Sequence, residues 1–333
     1  MTTLSQALRP AGLEALEAAL DPDIMSRHLG VRFGERNERH VVSARLVTCV
    51  RGKRAVISYE TSGKGGAGPS MIGKLYADAD RARRLHGVLE QLHALSDGGR
   101  ECAAPRPIAL LPELGMVVHE AVQGRTLDQL GGEERLKGVI GAGHWLSDLH
   151  SSGIALERRL DMASEIRKLS AWADVVTRHH PATAPTTLRL LRLLVSLARH
   201  TDVATSAPVH EDFHYQHVLV DEGRVVVIDF DEMRAGDPAF DVAHFGANLH
   251  LLAIREQLGS DDAGRLDAAF LDAYASRTAY EPDSRHTFFR AYTCLKIARQ
   301  LASGRGPTPV PIAAELDRQL ELIIEEGLSC LLR

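Results

Sequence analysis

The chain has 333 residues, 44% of them hydrophobic and 25% charged, with a formal net charge of −5; this length asks for more than one small core and predicts two lobes. The acidic balance argues against a nucleic-acid surface, which needs a concentrated basic field. Four scattered cysteines, Cys49, Cys102, Cys294 and Cys330, form no C-x-x-C pair, which excludes a disulfide framework and a cysteine zinc site. With no signal peptide and no apolar run long enough to span a bilayer, the expectation is a cytoplasmic protein that works on small molecules.

Leu4, Leu8, Leu13, Leu16, Leu20 and Met25 recur at helical spacing, broken near Pro10 and Pro22. They predict one or two amphipathic helices, an N-terminal elaboration over residues 1–40. From residue 41 the runs VVSARLVTCV, RAVISYET and SMIGKLYA are short and β-branched, and predict three antiparallel strands. Between them lie RGK at 51–53, where a phosphate-covering loop would sit, and the richer GKGGAG at 63–68. Each reads at least as well as a hairpin turn.

A helix is predicted next, with Asp78 or Asp80 as cap and Leu85, Val88, Leu89 and Leu92 on one face. The proline-rich CAAPRPIALLPEL reads as a loop, and MVVHEAV as another strand, so that 41–123 forms a strand-rich lobe closed at Gly124. Residues 124–333 are dominated by helical patterns. They are interrupted only by VHEDFHYQHVLVDEGRVVVIDFDE, in which Asp221-Glu222-Gly223 turns a hairpin.

The stretch HEDFH, residues 210–214, admits two chemistries. On a helix, H-E-x-x-H would bind zinc with Glu211 as base. Phe213, Tyr215 and Val218 to Val220 are strand formers, however, and the third zinc-ligand position holds Val220. Read as H-x-D, the same letters place Asp212 as the base of a phosphoryl-transfer loop. A metal-ligand position follows five residues later at His217, and a second acidic ligand, Asp229, follows the hairpin.

In these blocks the chain resembles the aminoglycoside phosphotransferase-like enzymes, small-molecule relatives of the protein kinases. The blocks are His210-Glu211-Asp212, Ile228-Asp229-Phe230, and Gly236-Asp237-Pro238 with Asp241-Val242-Ala243. The resemblance implies an α+β, bilobal protein-kinase-like fold with a small antiparallel-sheet N-lobe and a larger helical C-lobe. It implies transfer of the γ-phosphate of ATP, or GTP, with Mg²⁺, to a hydroxyl of an aminoglycoside or other antibiotic, a sugar or an amino-alcohol. Lys74 would hold phosphates and pair with Glu90, and the Glu120 carbonyl and Val122 amide would meet the base in a hinge at 119–123. Asp237 would buttress the catalytic loop, His210 would brace it and Asp241 would cap a helix. Asp231 could reach the metal or the substrate but reads more simply as a solvated turn carboxylate, and Glu165, Asp174 and Glu281 could attract a cationic substrate but read as well as solvated charges.

His217 stands where the family usually has asparagine. Because Mg²⁺ prefers oxygen, three consequences stay open: one metal held mainly by Asp229, a softer ion such as Mn²⁺, or a pseudokinase that binds nucleotide without transfer. A zinc hydrolase is the remote alternative.

Overall fold

The computed structural model describes residues 13–30, 40–204, 207–304 and 313–332. The expectations placed on Leu4, Leu8 and Pro10 lie outside the described residues. The fold is α+β and divides into two compact units, Met1–Gln123 with Val226–Asp231, and Gly124–Val225 with Glu232–Arg333.

In the first unit α1 (Leu16–Ala19) and α2 (Pro22–Gly30) precede β1 (His40–Val50), β2 (Arg54–Gly63), β3 (Gly66–Ala67), β4 (Met71–Tyr76), α3 (Ala79–Asp97), β5 (Pro107–Leu111) and β6 (Met116–Glu120). The antiparallel sheet runs β1-β2-β4-β6-β5, with β3 paired to β2. Alternation along β2 turns Ala55, Ile57 and Tyr59 inward, where they pack with Met25 and Leu29 of α2. Gly73 is required by that packing, since a Cβ there would lie 2.1 Å from Met116 Cε. RGK and GKGGAG are the turns of the β1-β2 and β2-β3 hairpins. The expected loop 102–114 instead carries the edge strand β5, which tolerates Pro107 because proline at the first residue of an edge strand needs no ladder donor.

The second unit holds β7 (Arg125–Thr126), α4 (Gly132–His150), α5 (Met162–His179), α6 (Ala184–Ala198), β8 (Ala207–Val209), β9 (Val218–Asp221), the start of β10 (Arg224–Val227), β11 (Arg234–Gly236), α7 (Pro238–Glu256), α8 (Ser260–Thr278), α9 (Ser284–Ala302) and α10 (Ala313–Leu332). Its core joins Leu190 and Leu194 of α6, Phe240 of α7, Phe288 and Phe289 of α9, and Leu320 and Ile323 of α10. No helix among the described residues is long and apolar enough to cross a membrane.

Candidate active site

The segment from His210 to His217 leaves β8 and enters β9 without forming a helix, so the histidines of HEDFH lack the shared helical face that the zinc reading needs. Its middle is anchored by Phe213, fully buried between Trp145, stacked at 5.7 Å, and Phe245 at 5.0 Å. Its start is held by Asp241 of α7, whose carboxylate accepts the amides of His210 at 2.6 Å and Glu211 at 2.8 Å and meets His150 Nε2 at 3.1 Å. Asp237 in turn caps α7 by accepting the Ala239 amide at 2.9 Å. The two aspartates therefore exchange the roles expected for them: Asp237 precedes the helix and meets its first free amides, whereas Asp241, one turn in, faces the loop.

Among the described residues, five other than glycine have positive φ. Glu222 turns the hairpin, while Gln257 and Ala279 cap helices in the left-handed conformation. The remaining two, Glu211 at 71° and Asp229 at 67°, have no such local reason. Strain of this kind persists where surrounding contacts enforce it, and it concentrates at functional sites.

Asp212 is ringed by nitrogen. Lys296 of α9 places Nζ 3.4 Å from its Oδ1 and 3.4 Å from the Glu211 carbonyl oxygen. His244 of α7, His214 and His217 each approach the carboxylate to 3.8 Å. Burial raises the Asp212 pKa, but Lys296 and then the histidines outweigh it and hold the carboxyl well below its usual range. Burial lowers the pKa of both His214 and His244, favouring their neutral forms.

Hydrogen bonding sets the tautomers of two of these rings. His217 Nδ1 lies 2.8 Å from the Asp212 carbonyl oxygen, which can only accept, so Nδ1 carries a proton. His214 Nδ1 accepts the Gln216 amide at 3.2 Å, which leaves the proton of its neutral form on Nε2, toward Asp212. Asp212, His214 and His217 have ligand atoms within 4.8 Å of one another. His214 cannot offer a metal its Nε2 lone pair while it keeps that bond, so a zinc site with three protein ligands does not fit.

Behind the loop lies a buried ionic group. β11 pairs with β8, Arg234 opposite Val209, and carries the Arg234 guanidinium to Glu211 and, at 3.0 Å, to Glu165 of α5. Tyr292 of α9 also donates to Glu165, and Lys168 meets both of its oxygens at 2.8 and 2.9 Å. Glu165 is thus 2% exposed rather than solvated, whereas Asp174 and Glu281 are exposed as expected.

Burial, opposed by Arg234 and Lys296, pushes the Glu211 carboxyl up to about 7. Its folded pKa exceeds the unfolded one, so its contribution is full below the ordinary carboxylate range and is lost as pH rises through about 7. Unfolding free energies measured from about pH 5 to 8 are therefore expected to fall less steeply with pH in Glu211→Gln than in the wild type. Parallel curves would contradict this.

In the first unit Lys74 and Tyr76, alternate residues of β4, face one side and both reach Asp231. Lys74 Nζ also lies 2.6 Å from Asp229 Oδ1, and Arg54 Nη1 stands 3.5 Å from Asp231 and 3.9 Å from Asp229. The Val227 amide fixes this acidic segment to the unit by donating to the Ala103 carbonyl at 3.1 Å. Burial disfavours the charge on Lys74, yet the two carboxylates outweigh it and raise its pKa. Burial and the neighbouring Asp229, opposed by Lys74, raise that of Asp231. Asp231, expected as a solvated turn carboxylate, is 3% exposed at its side chain.

Lys74 does not meet Glu90. The buried stripe of α3 is Ala82, Leu85, Val88, Leu89 and Leu92, which leaves Glu90 on the opposite side, exposed and 3.3 Å from His86. Asp229 and Asp231 take the place expected of it. In the expected hinge, the Glu120 carbonyl already contacts His119 Nδ1 at 2.8 Å, and Val122 lies in irregular chain after β6.

Asp229 and Asp231 supply carboxylate oxygens, the donors Mg²⁺ and Mn²⁺ prefer, and both are held at Lys74 Nζ. A divalent cation fits this donor set. His217 Nε2 offers a single nitrogen suited to a softer ion.

The sequence pattern that defines the phosphotransferase enzyme family matches residues 58–288, more than two thirds of the chain. The chain belongs to this family. Among solved structures, a provisionally assigned aminoglycoside phosphotransferase from Ralstonia eutropha matches with a TM-score of 0.64 at 15% identity, covering 93% of this chain and 98% of that one. The choline kinase of Streptococcus pneumoniae matches with a TM-score of 0.58 at 15% identity, covering 92% and 98%. Amicoumacin kinase in complex with AMP-PNP, Ca²⁺ and its substrate matches at 0.56 and 15% identity, covering 86% and 88%. At these identities the likeness establishes a shared kinase-like α+β fold. No curated protein matches the sequence.

Proposed function

We propose that this phosphotransferase moves the γ-phosphate of ATP to a hydroxyl of a small polar molecule. The observation that carries the reading is Asp212, an ionised carboxylate on a loop whose backbone is held from α7 and α9 and whose Glu211 side chain is held by Arg234 of β11. The two units take separate tasks. In the first, Lys74 and Arg54 meet the phosphates, and Asp229 with Asp231 hold a divalent cation, Mg²⁺ or Mn²⁺, which neutralises phosphate charge when bound. In the second, Asp212 orients the acceptor.

The acceptor O–H proton passes to the Asp212 carboxylate as its oxygen bonds to Pγ. The bond from Pγ to the β,γ-bridging oxygen breaks, and its electrons leave with ADP. Such catalysis rests on positioning and charge stabilisation, which accords with a loop held on several sides. The amicoumacin kinase complex, with AMP-PNP and a divalent ion, supports nucleotide and metal use here.

A second reading, a pseudokinase, is favoured only by His217. ADP formation with Mg²⁺ and with Mn²⁺, across sugars, polyols, amino-alcohols and aminoglycosides, separates the two. Acceptor-dependent ADP formation is expected; nucleotide binding without turnover on any acceptor would establish the pseudokinase. ATP is the expected donor, with GTP as the comparison.

A further inference from the structure

Resting on the phosphotransferase reading, we infer that the acceptor carries an oxyanion, a carboxylate or a phosphate, on the carbon beside its reacting hydroxyl, and that Lys296 recognises it. A hydroxyl must come within about 3 Å of Asp212 to hand over its proton. Lys296 Nζ is 3.4 Å from that carboxylate, so the reacting oxygen lies within about 6 Å of the ammonium, and a charged group on the neighbouring carbon can turn toward it. An ammonium has three donors, and Lys296 directs them to Asp212 and to the Glu211 carbonyl through long contacts while remaining partly exposed.

The surroundings offer a cation little in return. Glu211 is engaged by Arg234, Glu165 by Arg234, Lys168 and Tyr292, and Asp241 by His150 and two backbone amides. Of the histidines nearest Asp212, His214 presents its Nε2–H toward the carboxylate. Among the described residues of this unit the neighbouring carboxylates named above are already engaged, so an amine beside the reacting hydroxyl would meet Lys296 and Asp212, which the reaction itself engages. An oxyanion there would meet a lysine and N–H donors.

Matched three-carbon alcohols test this: glycerate, glycerol 3-phosphate, glycerol and 3-aminopropane-1,2-diol, with gluconate, glucose and glucosamine as a longer series. For wild type, kcat/KM is expected to be at least about tenfold higher for the oxyanion members than for their neutral partners, and lowest for the amines. Glycerate against glycerol 3-phosphate tells a carboxylate acceptor from a phosphorylated one. In Lys296→Gln the ratio of oxyanion to neutral member should collapse toward one, and in Lys296→Arg it should persist. Dissociation constants of gluconate and glucose in the presence of Mg·ADP should show the same loss of preference, which does not depend on turnover.

Amines turned over as well as oxyanions, or a preference unchanged in Lys296→Gln, would overturn the inference. The reading beneath it is checked separately by ATP hydrolysis to water without acceptor, expected in wild type and lost in Asp212→Asn. Hydrolysis without stimulation by any oxyanion-bearing alcohol defeats the inference alone; absence of both hydrolysis and transfer defeats the reading with it.

Discussion

Asp212→Asn is expected to slow phosphoryl transfer by about 10²–10⁴-fold, the contribution of one acid–base group, with nucleotide affinity changed by less than about twofold. The amide keeps the size of the side chain and can still accept from the acceptor hydroxyl, but it cannot take the proton. Asp212 lies in the second unit and the proposed phosphate and metal groups, Lys74, Arg54, Asp229 and Asp231, lie in the first, which is why binding and transfer should separate. Lys296 holds the Asp212 carboxyl below its usual range against the effect of burial. A base this weak suits a loose transition state in which the hydroxyl proton moves late, and its main task is then orientation. Single-turnover rates alongside equilibrium nucleotide binding check the prediction; retained transfer would remove Asp212 from the chemistry.

Arg234→Met is expected to destabilise the fold by about 3–5 kcal/mol, the effect of removing one partner from a buried ion pair. Methionine approximates the length of the side chain, so the loss is chiefly electrostatic. Glu165 would keep Lys168 and Tyr292, but Glu211 would lose the guanidinium that reaches it from β11. Since Arg234 lowers a Glu211 pKa that burial has pushed up to about 7, its loss raises that pKa further, and the deficit should shrink as pH falls toward 7 from above and then level off. Combining Arg234→Met with Glu211→Gln should recover part of it. Denaturant unfolding of the two variants and the double variant measures this coupling; strictly additive losses would show that Arg234 does not act through Glu211.

The sequence makes local features legible. Asp212, Asp229 and the 221–223 turn sit within one short stretch, and their spacing is what the phosphoryl-transfer reading starts from. The β1 to β4 strands follow from β-branched runs, and α3 from its apolar stripe. What escapes is long-range pairing. Lys74 and Asp231 are 157 residues apart, and nothing near either in sequence announces the pair. Glu90 lies on the expected helix, yet helical phase turns it away from the sheet. Lys296 and Tyr292 occupy one face of α9, four residues apart, and the run AYTCLKIARQ gives no sign that this face meets the catalytic loop. Asp237 and Asp241 were visible as a block, but which one caps the helix depends on where α7 begins.

The central claim is that Asp212 takes the proton of a hydroxyl that receives the γ-phosphate of ATP. It is tested most directly by following the phosphorus resonances of Mg·ATP with a pool of hydroxy acids, polyols, amino-alcohols and aminoglycosides, in wild type and in Asp212→Asn. The account predicts ADP and a new phosphomonoester resonance in wild type, both suppressed in the variant. A phosphomonoester formed equally by the two proteins, or none formed by wild type, would contradict it.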